Sequence, residues 1–497
     1  MRHPITRLAA SSIAWLAVPD GASAHALAQR YDLPLPLEWF LVAAGAAVAV
    51  SFVILALFLR RDTGHRAPGR PVLSGRIPTG LVVIGQIVAV AILALIVAAG
   101  LFGNQNTFKN IAPVAVWVIW WVGLTLVSAF VGNIWIVINP WSALFGFAEW
   151  LARAWRAGLS LHRPYPRWLG AWPACTLLLL FTWLELVAPA RDVPRNIAFA
   201  ILIYSTFTWI GFVIYGRDAW LKNGEVFSVL FGLFGRFAPL GFVRRDGAWH
   251  WELRGYATGL LTPAPLPPSL IAFALLMLGT VTADGFMETP PWAAFSEWLL
   301  GGRGGIGVEP RAYMMLQTAL LLTGPLLLAG LYLAVIAAMA RIPLPIPPPH
   351  SPSQTGVDAL SPGEGRVGDL AGLFVLSLVP ISIGYHLAHY FSLLAVAGQF
   401  IIPLASDPFG YGWDLFGTML YRIDIGIVDA RFIWYLAVAA IVTGHIVAVW
   451  IGHVTAYAAF GDAAAARRSQ YPMLALMVGY TMLSLWILAQ PIVEPAR

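Results

Sequence analysis

The chain has 497 residues, of which 59% are hydrophobic and 11% are charged, and its formal net charge is +6. A soluble domain carries about 25% charged residues, so this composition indicates an integral membrane protein. Only Lys109 and Lys222 are lysine, and arginines in loops are better explained by membrane orientation than by nucleic-acid binding. The single cysteine, Cys175, excludes disulfides, zinc ribbons, iron–sulfur clusters and haem attachment through a C-x-x-C-H motif.

Residues 1–24 have the pattern of a cleavable signal peptide. Two arginines flank the start, Leu8–Val18 forms a short apolar core, and Ala22-Ser23-Ala24 fits a small-residue cleavage site. The core is too short to cross about 30 Å of hydrocarbon. Cleavage would place His25 at the mature amino terminus, where its α-amine and ring can chelate copper. A chance residue after the cleavage site is the simpler interpretation.

Residues 25–497 are predicted to form one transmembrane helical domain. Ten apolar stretches are long enough to cross a bilayer, allowing for tilt and Pro interruptions. They cover residues 38–59, 80–102, 112–134, 169–188, 196–215, 269–287, 312–340, 370–396, 431–458 and 472–493. The predicted fold class is therefore all-α, a polytopic transmembrane bundle of about ten helices.

Every second loop between these stretches is basic. Such loops follow the first, third, fifth and ninth stretches, the last with Arg467 and Arg468. Because basic loops stay in the cytoplasm, both mature termini are predicted to be periplasmic, in a bacterial inner membrane. A cytoplasmic insertion over about 217–267 contains Glu225–Val243, a candidate re-entrant or interfacial helix. The cytoplasmic loop 341–368 is rich in Pro.

Four histidines lie inside two of the C-terminal apolar stretches. His386 and His389 form an H-x-x-H, and His445 and His453 follow in the next stretch. Ionisable side chains at membrane depth usually face the protein interior and mark a functional site. Residues three apart share a helix face, so His386 and His389 can converge on one ion with His445. His453 lies about 12 Å deeper, at 1.5 Å per residue, and interhelical hydrogen bonding is the alternative role for all four.

Carboxylates occur at a similar predicted depth. Glu185 lies near the outer end of the fourth stretch, and Asp284 and Glu288 end the sixth. A carboxylate beside imidazoles suits a divalent ion such as zinc, manganese or iron, which lowers the pKa of bound water. Glu185 or Asp284 is then a candidate ligand or general base, although solvation near the interface also allows a structural role. No G-x-S-x-G motif and no Walker lysine is present, so any hydrolysis would have to be metal-assisted.

Five segments are distinctive rather than generic apolar runs. They are HALAQRYDLPLPLEWF, NIAPVAVWVIWWVGL, VGNIWIVINPW, GYHLAHYFSLL and GHIVAVWIGH. Together they resemble a bacterial membrane family named fenitrothion hydrolase, along nearly the whole mature chain. The resemblance implies cleavage of a small apolar aryl phosphotriester into a nitrophenol and a dialkyl thiophosphate. It supplies no catalytic residues.

Three functions are compatible with these observations. The first is metal-dependent hydrolysis of an apolar organophosphorus triester, with metal ligands from His386, His389, His445 and, as a fourth candidate, His453. The second is electron transfer or metal handling through haem b or copper, with His386 opposite His445. The third is transport with a histidine proton relay, although the internal repeats of many transporters are not evident in the sequence.

Overall fold

The computed structural model describes residues 31–58, 71–154, 158–262, 264–343 and 365–490. The predicted signal peptide, His25 and most of the Pro-rich loop lie outside these residues. Within them, nine helices are long and apolar enough to cross a membrane. The predicted polytopic helical bundle is therefore confirmed.

The helices and strands are numbered in chain order. The helices are α1 Leu37–Phe58, α2 Thr79–Phe102, α3 Ile111–Phe130, α4 Trp135–Ile138, α5 Pro140–Ala154, α6 Trp172–Leu186, α7 Pro194–Tyr215, α8 Arg217–Asn223, α9 Val226–Gly235, α10 Pro268–Met287, α11 Pro290–Leu299, α12 Pro310–Ala340, α13 Gly365–Ser406, α14 Ala430–Phe460 and α15 Ala463–Ala489. The strands are β1 Leu73–Arg76, β2 Leu240–Arg245 and β3 Ala248–Leu253.

The fourth predicted stretch, 169–188, contains a helix of only 15 residues, α6. Such a helix is about 22 Å long, which is shorter than the roughly 30 Å of a bilayer core. Near its start the Cys175 thiol lies 3.4 Å from the Ser269 carbonyl of α10. Near its end, Glu185 lines the same cavity as Asp284 of α10. The two helices therefore run parallel, and α6 is followed by turns.

Contacts between loops show which ends of the long helices lie together, and these ends form two groups, one at each end of the bundle. At one end, the Asn104 amide donates to Phe409 at 2.7 Å, and the Thr107 hydroxyl donates to Asp192 at 3.0 Å. At the other end, the Leu161 amide donates to Val213 at 2.7 Å, and the amide of Leu240, in a small β-sheet, donates to Val131 at 3.1 Å. We call the end that carries the β-sheet the sheet end, and the opposite end, with Asn104 and Thr107, the far end. This alternation agrees with the predicted topology, in which the sheet end is cytoplasmic.

The sheet is a feature that the all-α prediction did not include. It has three antiparallel strands in the order β1-β3-β2, and Leu73 of β1 pairs with Leu253 of β3. The β2–β3 turn is Asp246-Gly247, with φ of 49° and 76°, which is the geometry that two-residue hairpins favour. The sheet joins the loop after α1 to the insertion 217–267, so two predicted cytoplasmic regions lie together.

A second departure concerns the arginines predicted in the loop after α14. Arg467 and Arg468 lie inside α15, which begins at Ala463 rather than near residue 472. The Asp462 side chain caps this helix by accepting from the amides of Ala464 and Ala465 at 2.9 and 2.8 Å. An Asp at the N-cap satisfies free amides and allows a polar first turn before the apolar part begins.

The stretch Glu225–Val243, predicted as a re-entrant or interfacial helix, contains the short helix α9, which follows α8. Arg217 at the start of α8 contacts the Ser142 carbonyl at 3.4 Å, and Arg254 binds the Gly235 carbonyl at 2.6 Å. The start of α8 and the end of α9 therefore both lie near the sheet end. The fully buried Glu225 caps α9 by accepting from the amides of Phe227 and Ser228 at 3.1 and 2.8 Å. This cap satisfies a helix terminus that water does not reach.

Helices α13 and α14, which carry the four histidines, approach each other closely. A Cβ on Gly384 would lie 2.6 Å from the Ala440 carbonyl oxygen, and one on Gly444 would lie 2.6 Å from that of Pro380. Small residues allow this backbone contact in membrane bundles. Around the α-helical part Val379–Val396, α13 also contains two short 3₁₀ stretches.

Candidate metal centre

Asp284, Glu288 and His389 form a candidate metal site between α10 and α13. One ligand atom from each residue lies within 4.8 Å of the other two. Asp284 and His389 are buried, with 6% and 1% exposure. The Nε2 of His389 lies 2.9 Å from the Oδ2 of Asp284. Two carboxylates and an imidazole are therefore available to one ion.

The backbone explains why these three groups meet. Asp284 and Glu288 are four residues apart, at the end of α10 and at its C-cap, so both carboxylates project from one helix face. His389 lies in the regular part of α13. Ligand atoms bind zinc at about 2.0–2.2 Å, so two donors to one ion can be about 4.4 Å apart at most. The observed separations need less than about 1 Å of closure to meet this limit.

Tyr390 holds Asp284 in this arrangement. Its hydroxyl donates to the Oδ2 of Asp284 at 2.6 Å, the same oxygen that contacts His389. Its ring lies between the two histidines of α13, with centroid distances of 4.7 Å to His386 and 4.5 Å to His389. A ligand carboxylate that is itself hydrogen-bonded has a fixed orientation, as in known metal sites.

Next to this cluster is a small enclosed cavity of about 20 Å³, lined in part by Glu185, Asp284, Ser382, His386 and Tyr390. A cavity needs about 10–15 Å³ to hold one water molecule, together with polar partners. The cavity therefore has room for one water or one small ion. Glu185 faces it from α6, so a third carboxylate adjoins the cluster.

The charges of this region favour a bound cation. Glu185, Asp284 and Glu288 all interact electrostatically with His389. Several carboxylates at membrane depth repel one another, and this repulsion is relieved by a cation or by protons. The donor set suits zinc, manganese or iron(II), for which oxygen and nitrogen ligands are common.

His386 reaches the cavity but does not belong to the three-residue cluster. Its ring packs edge-on against Trp121 at a centroid distance of 5.5 Å and lies 6.1 Å from Phe234 of α9. Its Nε2 is buried and has no hydrogen-bond partner among the residues that the structure describes. Such an atom calls for an unseen partner such as a water or an ion.

The two histidines of α14 lie elsewhere. The Nδ1 of His445 bonds the Ile441 carbonyl of its own helix at 2.8 Å, and its ring faces Tyr480 of α15 at 6.0 Å. The Nδ1 of His453 bonds the Gln470 amide oxygen at 3.0 Å. The structure therefore brings His389 together with Asp284, and Glu185 close to both. It places neither His445 nor His453 in this cluster.

The positions of these histidines also do not support the predicted haem site, in which His386 lies opposite His445. His386 faces α3 and α9, whereas His445 faces α15. The cavity beside His386 holds about 20 Å³, while pockets for organic ligands hold about 300–1,000 Å³. A macrocycle between these two rings would require the helices to separate.

Sequence reasoning gave Glu288 and Tyr390 less weight than the structure does. The usable signal for Glu288 was its spacing of four from Asp284, which is the spacing of one helix face. No pattern in the sequence identified Tyr390 as the partner of Asp284, because that contact depends on how α10 and α13 are rotated. In comparisons with known proteins, no family, no curated sequence and no solved structure matches the chain.

Proposed function

We propose that this protein is a membrane enzyme with a divalent metal ion held by Asp284, Glu288 and His389. The observation that carries the proposal is the convergence of these three donors within 4.8 Å, with Asp284 and His389 buried and Glu288 half-buried. Three protein ligands leave further coordination positions open, which is typical of catalytic rather than structural sites. When bound, the ion would activate water and stabilise negative charge on a substrate oxygen.

The reaction we propose is hydrolysis of an apolar organophosphorus ester, in keeping with the resemblance to the fenitrothion hydrolase family. Water in the cavity forms a bond to phosphorus, the bond from phosphorus to the aryl oxygen breaks, and the aryloxide leaves. Glu185 lines the cavity and accepts the proton of the attacking water. Tyr390 orients Asp284 through its hydrogen bond, and His386 lies where its free Nε2 can contact the same water.

Metal analysis of the purified protein tests the centre. We expect close to one zinc, manganese or iron per chain. We expect Asp284→Asn, Glu288→Gln and His389→Ala each to weaken metal binding by about 10–100-fold or more, since each removes a ligand. Glu38→Gln is the matched control, because Glu38 is exposed at the start of α1. Full metal content in all three variants would overturn the site.

Turnover of a chromogenic aryl phosphotriester tests the reaction. We expect Glu185→Gln to keep the metal and lose hydrolysis, because it removes only the proton acceptor. A metal-loaded protein that never releases nitrophenol contradicts the hydrolytic role. Transport would then be the better candidate, favoured by the buried Glu225 between α8 and α9, and vesicle flux measurements would address it.

A further inference from the structure

A large apolar groove lies on the side of the bundle between α2, α3, α6 and α7. Its volume is about 1770 Å³, which exceeds the roughly 300–1,000 Å³ of pockets for drug-sized ligands. Its lining is almost entirely aliphatic and aromatic. A space of this size and polarity suits hydrocarbon rather than water.

The groove opens sideways, where a bilayer would surround the protein. Ile92, Phe199 and Ile203 line it and are 52%, 50% and 71% exposed. Exposed apolar side chains in the middle of spanning helices face hydrocarbon. The lining extends from Ile138 and Trp172 near the sheet end to residues near the far end, so the groove follows the bilayer through most of its depth.

The rim at the far end is polar and carries Arg191, whose Nε lies 3.9 Å from the Asp192 carboxylate. Arg191 and Asn196 line the groove there. The Nη1 of Arg191 donates to the Leu186 carbonyl at 2.8 Å, and Leu186 and its neighbour Glu185 both line the small polar cavity. The charged rim of the groove and the candidate metal centre therefore lie at the same end and close together. Arginine is well suited to phosphate groups, which it binds through parallel N–H donors.

A single layer of side chains separates the groove from the polar cavity. On α6, Phe181 and Leu184 line the groove, while Thr182 and Glu185 line the cavity. On α3, Trp120 lines the groove and its neighbour Trp121 lines the cavity. The rings of Trp121 and Phe181 are 4.7 Å apart. We call these two rings the aromatic partition.

Both elements that carry the aromatic partition are irregular. The segment Val114–Gly123 of α3 is π-helical, a rare conformation that is common at functional sites. Helix α6 has only 15 residues and ends in turns. The two rings are therefore carried by a π-helical segment and a short helix, and they are the side chains between the groove and the cavity.

We propose that the groove binds a lipid phosphoester from the bilayer, with its hydrocarbon chain along the groove and its phosphate at Arg191. The substrate then reaches the metal centre laterally, through the aromatic partition. This inference rests on the proposed hydrolytic function and goes beyond its aryl triesters: the substrate class is a membrane-dissolved phosphoester with a chain of lipid length. The Arg191 guanidinium selects phosphate through its N–H donors, and the apolar lining selects the chain.

Photocrosslinking in lipid nanodiscs tests occupancy of the groove independently of hydrolysis. The probe is a phosphatidylcholine with a diazirine on one acyl chain, and labelled residues are mapped by mass spectrometry. We expect labels on groove residues of α2 and α7. We expect Ala200→Trp, which places an indole in the groove, to reduce them roughly tenfold or more, as expected when a pocket no longer admits a chain. Ala43→Trp, on an exposed face of α1, should label like the wild type.

Two further measurements complete the test. Arg191→Gln should reduce labelling by the phosphatidylcholine probe but not by a diazirine-bearing diacylglycerol, which lacks the phosphate. Equal labelling in Ala200→Trp and Ala43→Trp overturns the proposal, as does a dimer in nanodiscs whose crosslinks show a second copy filling the groove. Metal content in the same samples separates the two proposals, since Ala200→Trp should retain the ion even if no ester is hydrolysed.

Discussion

At the scale of single residues, the centre depends on one carboxylate oxygen with two partners. The Oδ2 of Asp284 contacts both His389 and the Tyr390 hydroxyl, at 2.9 and 2.6 Å. All three groups are buried, and a buried carboxylate is held in place only by such bonds. The geometry of the site is therefore set by Tyr390 as well as by the ligands themselves.

This arrangement predicts different effects for the two tyrosines that neighbour the histidines. Tyr390→Phe keeps the ring between His386 and His389 but removes the donor to Asp284, so the metal dissociation constant should rise about 10–100-fold, as for other lost partners of metal ligands. Tyr385→Phe is the matched control, because the buried Tyr385 hydroxyl has no hydrogen-bond partner among the described residues. Metal titration of the apo protein measures both, and equal affinities would contradict the role of Tyr390.

Part of this centre could be predicted from the sequence. Asp284 and His389 are ionisable residues within apolar stretches, and their cost at membrane depth singles them out. The direction in which the His445 ring points could not be predicted in the same way. Its Nδ1 bonds a carbonyl one turn back in its own helix, and the rotation of α14 turns the ring toward Tyr480. Helical spacing fixes which residues share a face, but not which neighbour that face meets.

At the scale of helices, the contact between α13 and α14 positions the histidine-bearing face of α13. Gly384 and Gly444 both allow this contact, because a side chain at either would meet backbone of the opposite helix. Neither glycine has a positive φ. These glycines are therefore explained by close approach and not by strain.

The same contact predicts opposite effects for two glycines of α14. In Gly444→Ala the new Cβ would lie 2.6 Å from the Pro380 carbonyl oxygen, so the helices must separate, and we expect a loss of about 1–3 kcal/mol of stability. In Gly452→Ala nothing lies within 4 Å of the new Cβ, and a gain of up to about 1 kcal/mol is expected from helix propensity. Thermal unfolding in detergent compares the two, and equal melting temperatures would show that the contact does not limit stability.

Helix boundaries show where hydrophobicity alone is insufficient. The prediction of a span at 169–188 counted apolar residues, whereas the helix ends at Leu186 and is followed by turns. The β2–β3 hairpin carries an Asp-Gly turn signal, but its sheet includes β1 from a distant loop. Pairing between segments this far apart in sequence has no local signature.

At the scale of the whole molecule, successive helix ends alternate between the sheet end and the far end. Loop charge predicts this alternation, and contacts that do not depend on charge support it. Arg366 binds the Ile342 carbonyl at 2.7 Å and stacks over Phe460, which brings the ends of α12 and α14 to the start of α13. At the far end, the Tyr411 hydroxyl donates to Phe102 at 2.6 Å. Each group contains only ends that the loop charges assign to one side.

The arginine-rich loops predict which side of the membrane each end faces, and reporter fusions test this prediction. Alkaline phosphatase is active only after export, so fusions after residues 65 and 162 should be inactive and a fusion after residue 300 should be active. A fluorescent protein that matures only in the cytoplasm, fused at the same positions, should give the complementary pattern and controls for expression. The physical reason is that basic residues close to a span resist translocation. A reversed pattern would place the sheet end outside the cell. The candidate metal centre and the charged rim of the groove, which lie at the far end, would then face the cytoplasm.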